Sequence, residues 1–264
     1  MSEQKKNTRH ILGISGGKDS AALAVHLRDR IPEMEYVFCD TGKELKETYE
    51  FIDKLEAFLN AHVIRLPKEL PGFSKNYDFD HFIELYNGYL PSPANRWCTK
   101  DLKLKPFEAY IGEDVVINYV GIRADEARVG YISTKPNVKT VFPFIEDGID
   151  KDGVLRILDD AGIGLPDYYS WRSRSGCYFC FYQSKREWKG LKEKHPDLFD
   201  KAKEYEKDDF TWRKDGKLED VISKYDTPAK KASKTTNSSP LLVDILSDED
   251  QDTVYEKPCL ICHL

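Results

Sequence analysis

The sequence predicts an α/β protein with a Rossmann-like, doubly wound parallel sheet. Short apolar runs of strand length alternate with longer segments whose apolar residues fall at helical spacing, and a glycine-rich turn follows the first apolar run. This alternation requires right-handed crossovers, which place consecutive strands parallel in one sheet. With 264 residues and 40% hydrophobic content, the chain is long and apolar enough to bury a large core.

Five strands and their connections can be placed in order along the chain. The strands are predicted at residues 10–14, 35–40, 61–66, 114–122 and 140–144. The first two connecting segments, 20–31 and 43–61, are predicted helices because their apolar residues lie on one stripe. The segment 71–112 is expected to hold two helices on either side of a proline-rich loop at Pro91–Pro93.

The C-terminal part of the chain is predicted to be helical, with a flexible end. Residues 150–163 predict a helix that stops before Pro166, and residues 186–210 predict a helix or a helix pair broken at Pro196. At Thr227 the composition changes to that of a flexible linker. We therefore expect three parts: an α/β domain at 1–165, a helical cysteine-bearing region at 166–226 packed on it, and a mobile tail at 227–264.

Composition and charge limit the classes of protein to consider. The formal net charge is −6, which disfavours broad, non-specific coating of DNA but leaves room for local basic patches. No apolar run reaches the length of a membrane span, and the polar N-terminus lacks the apolar stretch of a signal peptide. We therefore expect a cytoplasmic protein with no membrane partner, whose cysteines are thiols or metal ligands rather than disulfides.

The segment SGGKDS stands between the first predicted strand and the first predicted helix. Glycines let backbone N–H groups approach phosphate oxygens closely, and the start of a helix favours anions. The pattern is not a Walker A loop, which needs glycine at position 12 and Ser or Thr at position 19. Lys18 adds a positive charge and Asp19 a carboxylate suited to Mg²⁺, so both are candidate catalytic residues. The predicted phosphate-binding residues are Ser15, Gly16, Gly17, Lys18, Asp19 and Ser20.

Two further motifs follow predicted strands at the carboxyl edge of the sheet, where open α/β sheets bind ligands. Asp40, Thr41 and Gly42 end the second strand and are predicted to contact adenosine or Mg²⁺, with a helix-capping turn as the alternative. Gly121 and Arg123 end the fourth strand, and the planar guanidinium of Arg123 is predicted to clamp a phosphate. The alternative for Arg123 is a surface salt-bridge cluster. Asp40 and Arg123 join the candidate catalytic residues.

Several cysteines lie in motifs that suit metal binding or thiol chemistry. Cys177 and Cys180 form a CxxC pair, Cys98 lies in RWCTKDLK, and Cys262 belongs to a second CxxC pair at the C-terminal end. We expect Cys98, Cys177 and Cys180 to converge near the nucleotide, where three thiolates can hold a [4Fe–4S] cluster with one open iron. Cys262 completes the candidate metal ligands, and zinc is the alternative metal. Catalytic redox thiols that carry a persulfide are the alternative role for Cys177 and Cys180.

Basic and aromatic residues flank these cysteine motifs. Together they suit a nucleic-acid strand or the phosphates of a nucleotide. The alternative is that they are solvated helix charges over an aromatic core. The basic residues are Arg96, Lys100, Lys103, Lys105, Arg172, Arg174, Lys185 and Arg186.

The motifs SGGKDS, DTGKELKETYEF, RWCTKDLKLKPF, GIRADEAR and SGCYFCF resemble a known family when they are taken together. The chain is similar over residues 8–190 to the phosphoadenylylsulfate (PAPS) reductase branch of the PP-loop ATP pyrophosphatases, the adenine nucleotide alpha hydrolase-like superfamily. Within this branch it most resembles the DndC/SspD-type sulfur-transfer proteins of DNA phosphorothioation. The resemblance implies a HUP-type fold and a PP-loop domain, at 1–165, that cleaves ATP with Mg²⁺ to AMP and pyrophosphate.

The resemblance also implies a pathway and partners. Adenylation of an acceptor would prepare it for sulfur, with a cysteine desulfurase as the sulfur donor, DNA as the nucleic-acid acceptor, other proteins of a modification complex, and a role in phage defence. A reductase of PAPS or adenylylsulfate and a tRNA thiolation enzyme are the alternatives. The C-terminal KPCLICHL lacks the cysteine–glycine step of PAPS reductase tails, which disfavours the reductase. Whether the chain forms a homodimer stays open.

Overall fold

The described residues of the computed structural model, 8–226 except 75, 128–132 and 134, contain a five-stranded, all-parallel sheet. Its strand order is β3-β2-β1-β4-β5, and all four neighbouring pairs run parallel. The predicted α/β, Rossmann-like fold is therefore confirmed. The strands are β1 Arg9–Gly13, β2 Met34–Cys39, β3 Val63–Leu66, β4 Val116–Tyr119 and β5 Val138–Val141.

Helices cover both faces of this sheet and build the region that follows it. A π-helical stretch, Lys100–Leu104, joins α4 to α5, and a 3₁₀ turn, Asp167–Ser170, follows α7. Among the described residues, no helix is long and apolar enough to cross a membrane. The helices are α1 Lys18–Leu27, α2 Lys46–Leu59, α3 Phe79–Leu85, α4 Trp97–Thr99, α5 Lys105–Ile111, α6 Pro143–Glu146, α7 Lys151–Asp160, α8 Lys185–Lys194, α9 Pro196–Glu204 and α10 Leu218–Asp226.

The sheet is apolar on both faces because each face is covered by helices. Along β1, Leu12 packs into the core shared with α1, α2 and α7, whereas its neighbour Ile11 points to the opposite face and packs near Phe107 of α5. The chain runs from β1 to β2 and β3 on one side and then returns to place β4 on the other side of β1. Open α/β sheets bind ligands at such a change of direction, which here lies at the carboxyl ends of β1 and β4.

A second, aromatic core holds the C-terminal helices against the segment between β3 and β4. Phe79, Trp97, Phe179 and Trp188 are almost fully buried in it. The ring of Phe79 lies 4.4 Å from that of Phe179, which links helix α3 to the loop that carries the CxxC pair. The core therefore fixes the CxxC loop beside the carboxyl edge of the sheet.

The boundaries of the fifth strand differ from the predicted ones because a proline ends it. The fifth strand lies at Val138–Val141 rather than 140–144, because Pro143 begins α6 and cannot donate to a ladder. The predicted break at Pro196 is confirmed, since it is the first residue of α9. The tail at 227–264, with the candidate ligand Cys262, lies outside the described residues, and the three-part division of the chain stays a prediction.

Candidate nucleotide and thiol site

The loop at 13–20 turns sharply between β1 and α1 through a glycine in the left-handed region. Gly16 has φ +70°, and a Cβ built on it would lie 2.3 Å from Cγ2 of Thr48 in α2. Gly17 is also enclosed, because its Cβ would lie 2.7 Å from the hydroxyl oxygen of Ser175. Helix α1 begins after Gly17 without a side-chain cap. Backbone N–H groups and the helix dipole favour an anion at such a helix start, so this end of α1 is the part of the loop that suits a phosphate.

Gly16→Ala is expected to destabilise the protein by about 2–3 kcal/mol, because both the positive φ and the contact with Thr48 penalise a Cβ. The measurement is the free energy of unfolding in urea. Gly148→Ala is the matched control, because Gly148 has φ +67° but nothing within 4 Å of its Cβ position. An equal loss in the two variants would contradict the close approach of the loop to α2.

Two serines of the motif hold the loop rather than project freely from it. The hydroxyl of Ser20 accepts a hydrogen bond from the backbone N–H of Ser15 at 3.0 Å and donates one to the carbonyl of Gly17 at 3.2 Å. The two serine hydroxyls are also 3.0 Å apart. Ser15 and Ser20 thus shape the loop, and phosphate binding by them stays a prediction.

Lys18, Asp19 and Arg123 form one charged cluster that links the phosphate loop to the end of β4. The Lys18 ammonium lies 3.0 Å from one carboxylate oxygen of Asp19, and Arg123 Nη1 lies 3.0 Å from the other. Burial opposes the charge on Lys18, but the neighbouring Tyr169 oxygen and the Asp19 carboxylate outweigh it and raise the pKa of the lysine. Lys18 therefore stays a cation beside the loop. The structure brings the three predicted site residues Lys18, Asp19 and Arg123 together, and their catalytic roles stay predictions.

Gly121 allows the end of β4 to approach the loop. A Cβ on Gly121 would lie 3.0 Å from the backbone oxygen of Asp19. Arg123 also binds the carboxylates of Asp125 at 2.9 Å and Glu126 at 2.8 Å. The salt-bridge alternative thus accounts for the contacts of Arg123 in this structure, and a phosphate clamp by Arg123 stays a prediction. Arg128, the last residue of the GIRADEAR motif, lies outside the described residues.

Two tyrosines of the 3₁₀ turn complete the loop, and the sequence analysis missed both. The hydroxyl of Tyr168 donates to the carbonyl of Gly16 at 2.6 Å, and that of Tyr169 accepts from the backbone N–H of Lys18 at 3.1 Å. Both side chains are almost fully buried. Each tyrosine lies more than 150 positions further along the chain than its partner in the loop, so no local pattern could have pointed to it.

Asp40 lies at the carboxyl end of β2, as predicted, and organises the turn that follows. Its carboxylate accepts hydrogen bonds from the backbone N–H of Gly42 and the hydroxyl of Tyr49, both at 2.8 Å, and from the Lys68 ammonium at 2.5 Å. Gly42 has φ +72°, which the turn requires. The capping-turn alternative thus accounts for part of this motif, and contact with adenosine or Mg²⁺ stays a prediction.

Glu44 and Thr41 connect this turn to Cys177. Glu44 is buried and accepts hydrogen bonds from the hydroxyls of Thr41 at 2.8 Å and Tyr49 at 3.1 Å. The Thr41 hydroxyl oxygen lies 3.2 Å from Sγ of Cys177. Burial and the nearby Asp40 raise the pKa of Glu44, and burial and Glu44 raise the pKa of the Cys177 thiol well above its usual value. Cys177 is therefore a thiol, not a thiolate, in this state.

The predicted metal centre is not assembled among the described residues. Within the described ranges, no group of three or more His, Cys, Asp or Glu residues could hold a metal ion. Cys98 and Cys180 are half-buried, and Cys262 lies beyond the described part of the chain. The iron–sulfur cluster and zinc stay predictions without support from this geometry.

The basic residues expected to face nucleic acid have mixed placements. Arg172 is 1% exposed, and its guanidinium donates to the carbonyls of Gly176 at 3.0 Å and Cys177 at 2.8 Å. Lys185 pairs with Asp215 at 3.0 Å. Arg172 therefore holds the CxxC loop from inside and is not part of a nucleic-acid surface.

The residues around the start of α1 and the end of β2 include the types that suit a nucleotide triphosphate with Mg²⁺. The start of α1 and the Lys18 ammonium suit phosphate oxygens. Carboxylate oxygens, here from Asp19 and Asp40, are the ligands that Mg²⁺ prefers. These residues are the ones we expect to hold the cofactor.

Comparison with known proteins gives one family. Residues 9–143 match the family model described as the phosphoadenosine phosphosulfate reductase domain. Among solved structures, the PAPS reductase of Candida auris in a phosphate complex has a TM-score of 0.50 and 14% identity, and the match covers 65% of this chain and 82% of that chain. At this identity the likeness is evidence for the fold alone.

The chain matches only part of the length of each of its sequence relatives. The chain is 28% identical over 217 residues to an uncharacterized protein of Methanocaldococcus jannaschii, which covers 75% of this chain and 48% of that protein. It is 26% identical over 193 residues to the tRNA-specific 2-thiouridylase MnmA of Haemophilus ducreyi, which covers 60% of this chain and 48% of that enzyme. The chain thus spans about half the length of these relatives.

Proposed function

Because the chain belongs to the phosphoadenosine phosphosulfate reductase domain family, we propose that it is an ATP pyrophosphatase that activates an acceptor for sulfur. ATP would be cleaved to AMP and pyrophosphate, and the AMP would be joined to an acceptor oxygen as a leaving group. The observation that carries this proposal is the cluster of Lys18, Asp19 and Arg123 at the uncapped start of α1. A cation and backbone N–H groups at one point suit the departing pyrophosphate.

The acceptor that we propose is the phosphate backbone of DNA, with sulfur supplied by a cysteine desulfurase. This choice rests on the resemblance to phosphorothioation proteins and not on the site. The likeness to a tRNA-specific 2-thiouridylase favours tRNA as a second candidate acceptor. The family model favours a third candidate, a reductase of an activated sulfate, which would use the same nucleotide site without ATP.

The test is product analysis with ATP and Mg²⁺ in the presence of DNA or of tRNA and a persulfide donor. The proposal predicts AMP and pyrophosphate, and sulfur in the nuclease digest of the DNA. Thionucleosides in the tRNA digest would identify tRNA, the second candidate, as the acceptor. Release of ADP and phosphate, or no release in either reaction, would contradict the proposed chemistry.

Tyr169→Phe is expected to enlarge the rise in Tm that ATP causes. The variant leaves the backbone N–H of Lys18 without its acceptor, which costs about 1 kcal/mol in the free protein. A bound phosphate can replace that acceptor, so the substitution lowers the stability of the nucleotide complex less than that of the free protein. Tyr168→Phe is the matched control, because its hydroxyl donates to a carbonyl and a phosphate cannot replace a donor. An equal rise in Tm in both variants would contradict phosphate binding at this N–H.

A further inference from the structure

We propose that Cys177 and Cys180 form a thiol–disulfide couple that reacts with the divalent sulfur of a disulfide or persulfide. Cys180 is the attacking sulfur, and a relay through Thr41 to Glu44 takes the proton of Cys177. This inference deepens the proposed function and rests on it only for the natural sulfur donor. The thiol chemistry itself follows from the contacts around the CxxC pair.

The backbone holds the two cysteines within reach of a disulfide. The N–H of Cys180 donates to the carbonyl of Cys177 at 3.1 Å, which closes a tight turn. A turn of this kind brings its first and fourth Cα atoms within about 7 Å, and disulfides span about 4.4–6.8 Å between Cα atoms. The turn is clamped, because Arg172 holds the Cys177 carbonyl and Tyr178 N–H donates to the carbonyl of Lys43 at 2.8 Å. The Cα spacing of this turn is therefore compatible with a disulfide.

The two sulfurs have different neighbours, which gives them different roles. Nη2 of Arg174 lies 3.9 Å from Sγ of Cys180, and the same guanidinium lies over the ring of Tyr182 at 4.9 Å from its centroid. In thiol–disulfide exchange negative charge passes between sulfurs, and the Arg174 guanidinium lies where it can interact with that charge on Cys180. Cys177 faces a hydroxyl and a carboxylate instead. Cys180 is therefore the sulfur that attacks first.

The partners of Cys177 form a path for its proton. The Thr41 hydroxyl donates its hydrogen to Oε1 of Glu44 at 2.8 Å, so its oxygen accepts from the Cys177 thiol, 3.2 Å away. The other carboxylate oxygen of Glu44 accepts from the backbone N–H of Lys43 and the hydroxyl of Tyr49, both at 3.1 Å. The Thr41 hydroxyl and the Lys43 N–H fix the carboxylate, whereas the Tyr49 hydroxyl shares its one hydrogen between Glu44 and Asp40. Glu44 is thus held where it can receive a proton.

The reaction balances in two steps. The Cys180 thiolate attacks one sulfur of R–S–S–R′, which forms Cys180–S–S–R and releases R′–S⁻. The Cys177 sulfur then attacks the Cys180 sulfur and releases R–S⁻, while its proton passes to Thr41 and the Thr41 proton passes to Glu44. The two cysteines lose two electrons and become a disulfide, and the substrate gains them as two thiolates. With a persulfide R–S–SH, the first step leaves Cys180–S–SH and the second releases HS⁻.

The test uses dithiobis(nitrobenzoate) as the disulfide, on the full chain with Cys98, Cys259 and Cys262 replaced by serine. Cys39 stays, because it is 1% exposed and burial raises its pKa to about 12. The proposal predicts two equivalents of coloured thiolate in two phases, and mass spectrometry finds the 177–180 disulfide. The same linked peptide is expected from the wild-type chain, which covers the case that the serine background does not fold.

The variants assign the two phases. Cys180→Ser is expected to abolish the fast phase, and Arg174→Gln to slow it, with Arg174→Lys closer to the parent. Cys177→Ser is expected to release one equivalent and keep the mixed disulfide. Thr41→Val and Glu44→Gln are expected to slow the second phase about a hundredfold, and Thr41→Ser to restore it, which a purely structural role would not explain.

Three results would overturn the proposal. They are a stable mixed disulfide in the parent protein, loss of the fast phase in Cys177→Ser instead of Cys180→Ser, and an unchanged second phase in both Thr41→Val and Glu44→Gln. The assay contains no nucleotide. Its outcome is therefore independent of whether the chain cleaves ATP, and the two proposals fail separately.

Discussion

Lys18→Ala is expected to lower the rate of pyrophosphate release from ATP by about a hundredfold to a thousandfold, as the loss of one fixed donor to a developing charge does in other enzymes. The ammonium is 8% exposed and sits at the start of α1 beside Asp19. The measurement is pyrophosphate release at saturating ATP and Mg²⁺. Because Arg123 still compensates the Asp19 carboxylate in the variant, the protein is expected to fold.

The control for this prediction is another lysine at the start of a helix. Lys46→Ala removes an 85% exposed ammonium from the first turn of α2, where it pairs with Glu50. It changes the net charge equally and should leave pyrophosphate release unchanged. Wild-type activity in Lys18→Ala would contradict the assignment of the loop to phosphate binding.

Arg172→Ala is expected to lower the free energy of unfolding by about 3–5 kcal/mol, the cost of removing one member of a buried charged network. Arg172 is 1% exposed and holds two carbonyls of the CxxC loop. It also compensates the buried Glu187, whose carboxylate accepts hydrogen bonds from Ser173 and Ser184 and caps α8. Arg156→Ala, which removes an exposed guanidinium from α7, is the control and should have a small effect.

The loss of unfolding free energy that Arg172→Ala causes is expected to be smaller at acid pH. Burial opposes the charge on Glu187, but Arg174, Arg172 and backbone hydrogen bonds outweigh it and lower its pKa. A lowered pKa gives stability that is present above the unfolded pKa and is lost as the pH falls through the folded pKa. Part of that stability is absent from the variant. The free energies of unfolding of the two proteins, measured in urea, should therefore converge at acid pH. A constant difference from neutral to acid pH would contradict the coupling to Glu187.

Features set by neighbouring residues could be predicted from the sequence. The alternation of strands and helices is local, and it placed the five parallel strands in order. The sharp loop between β1 and α1 could be predicted because a strand, two glycines and a helix follow each other directly, whereas phosphate binding by this loop stays a prediction. Asp40 and Gly121 were placed correctly at the sheet edge for the same reason, since the carboxyl ends of parallel strands lie together.

Features set by distant contacts could not be predicted. Tyr168 and Tyr169 complete the loop across more than 150 positions, and an aromatic pair in a turn carries no signal for this role. Arg172 was grouped with surface charges because a sequence does not tell whether loop carbonyls will surround a guanidinium. The role of Glu44 was missed because its partner Cys177 lies 133 positions away.

The activity that we propose is the cleavage of ATP between its α- and β-phosphates. The most direct test offers one protein preparation two substrates in parallel: ATP with Mg²⁺, and PAPS with a thioredoxin system. We expect AMP and pyrophosphate from ATP, no sulfite from PAPS, and loss of the ATP reaction in Lys18→Ala. Sulfite from PAPS together with intact ATP would contradict the account and make the protein a reductase.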